Sequence, residues 1–98
     1  MLRLPQKTII NCTGFGARDL FGDKSVIPVR GQLAHVVPDP SVHYAMLYNQ
    51  VSFLPRRDGW IFQALGDNDY FGYGDETTVP DRVEAEQAVK TIASLFAK

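Results

Sequence analysis

The sequence predicts an α+β fold, an antiparallel sheet followed by a C-terminal helix. Three observations predict it. β-Branched and aromatic runs recur between turn residues from "SVIPVRGQLAHVV" to "WIFQAL". An Asp-Gly pair joins two of those runs as a hairpin would. One long helical pattern then follows the strands instead of alternating with them.

The elements follow in order. Residues 7–12, "KTIINC", read as a buried strand, short, β-branched and continuously apolar at their centre. "GFGARDLF" allows a turn or two of helix before the Gly22-Asp23 turn signal. "SVIPVRGQLAHVV" reads as a bent or edge strand, interrupted at Pro28, which lacks a ladder donor, and at Gly31. "PDPS" breaks the chain again, and "HYAMLYN" and "VSFLPR" follow as strands. "RRDG" then turns the chain into "WIFQAL", its four residues fitting a type I turn better than a two-residue loop. "GDNDYFGYGDETTVP" is a long loop rich in glycine and acid. The last segment, "DRVEAEQAVKTIASLFAK", is the best helix. Asp81 and Glu84 have the spacing of a capping box, and Ala85, Val89, Ile92 and Phe96 recur on one face.

Ten basic and eleven acidic side chains over 98 residues give a net charge of −1, which offers nucleic acid or an anionic membrane no electrostatic footprint. The single Cys12 excludes an internal disulfide and a cysteine-based zinc site, and its place after an apolar run predicts a small buried hydrophobe. No stretch approaches the roughly 18 apolar residues of a membrane span, and "MLRLPQK" is too short for a signal peptide. The expectation is a soluble cytoplasmic protein, with a start that reads as a truncation.

Candidate sites are few. Gly14 and Gly16 follow a strand pattern as the first two glycines of a dinucleotide fingerprint do, but Asp19 stands at the third position and would repel phosphate. Asp67, Asp69 and Gly72 match three positions of a calcium loop. Phe71 and Thr78 fail two others, so a solvated loop is the better reading. His35 and His43 lack a third ligand, and Ser41 and Ser52 lack a nucleophile elbow. Tyr48, at a strand end beside Asn49, can present a phenol to a cleft, although packing is the commoner use of a tyrosine.

The stretch "IINCTGFGARDLFGD" joined to "IPVRGQL" resembles the D-amino-acid oxidase family of FAD-dependent oxidoreductases. Asn11, Cys12, Thr13, Gly14, Gly16, Ala17, Pro28, Arg30, Gly31 and Gln32 match its pattern at the crossing from flavin domain to substrate domain. "YNQVSFLPRRDGWIF" and "TTVPDRVEAEQAVKTIASLF" extend the likeness more weakly. The resemblance implies that residues 1–24 are the last strand and short helix of an FAD-binding domain, the strand orphaned from its sheet, and that 25–98 are part of a substrate-binding domain. It implies that Thr13 and Gly14 lie against FAD, that the substrate is an amino acid or related amine, and that Tyr48 contacts the carboxylate of an amino-acid substrate. A second tyrosine of the family falls near Ser52, so that contact is absent or supplied elsewhere, and "FQALGDNDYFGYGDE" replaces a shorter glycine-glycine turn.

A phosphate-cradling βαβ unit is also missing, so these residues are expected neither to bind FAD nor to oxidise a substrate by themselves. No catalytic residue and no metal ligand is assigned. The unpaired apolar strand is expected to drive self-association. The alternative is a stand-alone α+β binding or dimerisation module without redox activity.

Overall fold

The structure, a computed structural model, describes residues 3–96. After a 3₁₀ turn at Gly14–Gly16 and a five-residue helix α1 (Ala17–Phe21), four strands form one sheet: β1 (Ala34–Val36), β2 (Met46–Tyr48), β3 (Val51–Arg56) and β4 (Gly59–Ala64). Their order is β1-β4-β3-β2, antiparallel throughout. Helix α2 (Arg82–Ala93) lies across the sheet, so the α+β expectation holds.

The pleat sorts the side chains. Register places Ala34, Phe62, Phe53 and Met46 in one row across the sheet, with Val36, Trp60, Val51, Ala64 and Tyr48 on the same face. This face meets α2, where Ala88 and Ile92 are buried and Val89 packs beside them. Phe53 is the hub: its ring lies 4.9 Å from Phe62 and 5.3 Å, edge-on, from Trp60. The opposite face carries His35, Leu47, Ser52, Leu54, Ile61 and Gln63; Leu47 is 71% exposed there.

Helix α2 begins as its sequence predicts. The Asp81 carboxylate accepts from the Glu84 N–H at 3.1 Å. The helical pattern runs longer than the helix, because Ala93 is its last residue and Phe96 lies beyond it, 60% exposed. Ala88, absent from the predicted apolar stripe, is at the centre of the contact because only a small side chain lets the helix approach the sheet.

One hairpin corrects the sequence reading and the other adds to it. The β3–β4 loop has two residues, since Arg56 pairs with Gly59 and only Arg57 and Asp58 remain between them. The β2–β3 loop, Asn49-Gln50, is also two residues, both at positive φ (45° and 60°), as a type I′ turn requires. Within "SVIPVRGQLAHVV" only Ala34–Val36 is strand, with one isolated bridge from Val29 to Tyr73. The breaks at Pro28 and Gly31 were legible; the length of strand was not.

The strand expected over residues 7–12 is not formed. Ile10 is 84% exposed, Ile9 is exposed, and Cys12 is exposed, not buried. A strand needs a partner for its backbone donors and acceptors, and no described residue pairs with this stretch. The result is an elongated molecule, 59 × 28 × 21 Å, with a radius of gyration of 17.6 Å. A compact chain of this length would have about 13 Å. The accessible surface of 8138 Å² exceeds the roughly 5,600 Å² expected for this mass, so much apolar surface is uncovered.

Candidate functional site

The turn that holds Thr13 and Gly14 is built by Asn11. Its side-chain oxygen accepts from the Thr13 N–H at 3.1 Å and from the Thr13 hydroxyl at 2.6 Å, an Asx turn. The Gly16 N–H then donates to the Thr13 carbonyl at 3.0 Å. Gly14 sits at φ 53°, where a side chain is strained, yet a Cβ there would touch nothing within 4 Å. Its glycine is required by backbone shape, and the space beside it is open. Helix α1 follows and ends on Gly22 at φ 64°. One ion pair ties α1 to the 65–81 loop, Arg18 to Glu76 at 2.7 Å.

Tyr48 ends β2 on the edge of the sheet, opposite Val51 and 38% exposed. It shares the face that meets α2, and no hydrogen bond joins it to Thr13 or Gly14 among the described residues. Ser52 points to the other face, in register with Leu47 and Gln63. The structure therefore leaves the three site residues expected from the sequence in two separate places, the turn before α1 and the edge strand.

The matched "PVRGQ" stretch instead builds a joint that the sequence did not reveal. The Gln32 amide pairs with the backbone of Asp81, accepting from its N–H at 2.6 Å and donating to its carbonyl at 2.7 Å. Arg30 donates to the same Gln32 oxygen at 3.1 Å and lies 3.7 Å from the Glu84 carboxylate, both charged side chains being mostly buried. The backbone of this stretch also holds the long loop: the Arg30 N–H donates to the Gly72 carbonyl at 2.9 Å, and the Gly74 N–H to the Pro28 carbonyl at 2.8 Å. Gly72 has φ 80°, and a Cβ there would overlap the Arg30 carbonyl oxygen. In a capping box Glu84 would reach back to the Asp81 N–H; here Gln32 takes that donor and Glu84 faces Arg30.

Among the described residues no three His, Cys, Asp or Glu side chains gather to hold a metal, and no helix is long and apolar enough to cross a membrane. His35 lies on the open face of β1 and His43 in the 37–45 segment, exposed in both cases.

No protein-family model and no solved structure matches the chain. Two curated proteins do. The chain is 33% identical over 93 residues to a D-amino-acid oxidase of Streptomyces coelicolor, and 30% identical over 97 residues to a D-amino-acid oxidase of Dictyostelium discoideum. The matches take in 89% and 92% of this chain but only 27% and 26% of those proteins. The chain is thus similar, along nearly its whole length, to about a quarter of each of two proteins named D-amino-acid oxidase.

Proposed function

We propose that these residues form the crossing segment and part of the substrate domain of an FAD-dependent oxidoreductase that oxidises an amino acid or related amine by hydride transfer to the flavin. The supporting observation is the 30–33% identity to two D-amino-acid oxidases across nine-tenths of the chain, which agrees with the "NCTG" and "PVRGQ" resemblance. In this reading residues 1–24 belong to the cofactor side and 25–98 to the substrate side. Thr13 and Gly14 border the cofactor, and the open space beside Gly14 is consistent with a neighbour there. The Tyr48 phenol donates to the substrate carboxylate.

The described residues do not fit FAD by themselves. A pyrophosphate needs converging backbone N–H groups at the start of a substantial helix. Helix α1 has five residues and carries Asp19 in its first turn. No catalytic step is assigned to this chain; its part is to bind and orient.

The uncovered apolar surface favours a second reading, a stand-alone binding or dimerisation module. The intact mass of the native polypeptide that carries these residues separates the two. The oxidase reading expects a chain roughly four times as long, in proportion to the relatives. A native product of 10.9 kDa would instead support the module.

A further inference from the structure

The two places that hold the site residues expected from the sequence are spanned by one loop, residues 65–81. At its start the Leu65 N–H donates to the Gln50 carbonyl at 2.8 Å, so the loop hangs from the turn that follows Tyr48. Its middle is held by the 28–30 stretch, through Gly72, Gly74 and the Val29–Tyr73 bridge. Farther on, Glu76 takes Arg18 at 2.7 Å, on the helix that follows the Thr13–Gly14 turn. At its end Asp81 is fixed by Gln32 and begins α2.

A loose loop of this length would transmit nothing, but this one is folded on itself. Gly66 has φ 70°, and a Cβ there would overlap the Phe71 ring, so the ring is seated on bare backbone. The Asn68 side-chain oxygen accepts from the Tyr70 N–H at 2.9 Å, and its carbonyl accepts from the Phe71 N–H at 3.2 Å. The Tyr73 N–H donates to the Tyr70 carbonyl at 2.9 Å, and the two rings meet edge-on at 6.0 Å.

The covalent route between the same two places is slack by comparison. Among the described residues, the hydrogen bonds of residues 22–27 stay within the Asp23–Val26 turn. Among them too, the Arg18–Glu76 pair is the one polar link from residues 11–21 to the sheet, the loop or α2. Arg18 is itself steadied by the Phe15 ring, whose centre lies 5.7 Å from the guanidinium carbon.

We propose that the 65–81 loop is a bracket that fixes the Thr13–Gly14 turn relative to the Tyr48 edge, with Glu76 as its positioning residue. Glu76 acts through Arg18 and α1 and touches neither Thr13, Gly14 nor Tyr48. The catalytic consequence rests on the oxidase reading; the bracket itself does not. An exposed ion pair biases a geometry by a factor of about five at most, so this grip is a bias and not a lock.

Arg18 and Glu76 are both exposed, so exchanging their charges leaves the core untouched. The lone Cys12, exposed beside the turn, takes one spin label, and Arg57→Cys in the β3–β4 turn takes the second. Electron–electron distances are measured on the doubly labelled chain diluted into unlabelled copies, which removes distances between copies. The expected result is one narrow distribution, broadened in Glu76→Arg and narrowed again when Arg18→Glu is added. In the native polypeptide that carries these residues, Glu76→Arg should raise KM for the amino acid that reduces the flavin about threefold to fivefold. Flavin content and far-ultraviolet circular dichroism should stay unchanged, and the double exchange should restore KM. A merely stabilising pair would not move KM at constant flavin content. The proposal is overturned by a distribution that is broad from the start, by one that Glu76→Arg leaves narrow, or by a KM that does not follow the distances. A polypeptide without flavin would remove the oxidase reading alone, since the distances still decide the bracket.

Discussion

At the scale of single residues, three side chains make distinct claims. Tyr48 is a strand-end tyrosine, partly exposed, and its proposed part is a hydrogen bond to a substrate carboxylate. A bond to a charged partner contributes about 1–3 kcal/mol. In the native polypeptide, if it is the proposed oxidase, Tyr48→Phe should therefore raise KM roughly tenfold while leaving the flavin spectrum unchanged; unaltered substrate kinetics would make Tyr48 a packing residue. Gln50 holds φ 60° in a turn that prefers glycine at that position. Relief of left-handed strain outweighs the added chain freedom, so Gln50→Gly should stabilise the chain by about 0.5–1 kcal/mol in urea unfolding. Gln32 ties the start of α2 to the "PVRG" stretch through both backbone groups of Asp81. Water can replace an exposed partner, so Gln32→Ala should cost only about 1 kcal/mol, measured in the same way.

At the scale of elements, what was legible in the sequence is what depends on near neighbours. The α2 cap rests on Asp81 and Glu84, three residues apart, and "VSFLPRRDGWIFQA" alternates around a turn signal, so both were readable. The type I′ turn at Asn49-Gln50 was not, because Gln50 lacks the glycine that would have announced it. Residues 7–12 have strand composition and no strand, since pairing is set by a distant partner and not by propensity. The site was less legible than the fold. The motif drew attention to Thr13, Gly14 and Tyr48, whereas Arg30 and Gln32 matched without revealing the joint that they build with Asp81, Glu84 and Gly72. That joint is long-range, Gln32 and Asp81 being 49 residues apart. It also makes a test of the loop. Gly72→Ala would meet the Arg30 carbonyl oxygen at a positive φ and should destabilise the chain by about 3 kcal/mol or more, detached loop and all. A wild-type urea midpoint would mean that the loop is not held there.

At the scale of the whole molecule, the exposed "TIIN" stretch and the excess apolar surface call for a cover. Ile9 and Ile10 offer unpaired backbone as well as side chains, a template for a second copy. Light scattering of the 98-residue chain should therefore give a mass that rises with concentration, and Ile10→Lys should lower it. A monomer at every concentration, with the Ile9 and Ile10 amides protected from exchange, would show that the chain closes its own core. The central claim concerns the native protein: that these residues work within a flavin-dependent amino-acid or amine oxidoreductase. The most direct measurement is the visible spectrum of the native polypeptide that carries them, recorded without oxygen before and after a panel of D- and L-amino acids is added. The account predicts flavin absorption that bleaches with at least one of them. A polypeptide without flavin absorption, or with a flavin that no amino acid or amine reduces, would contradict it.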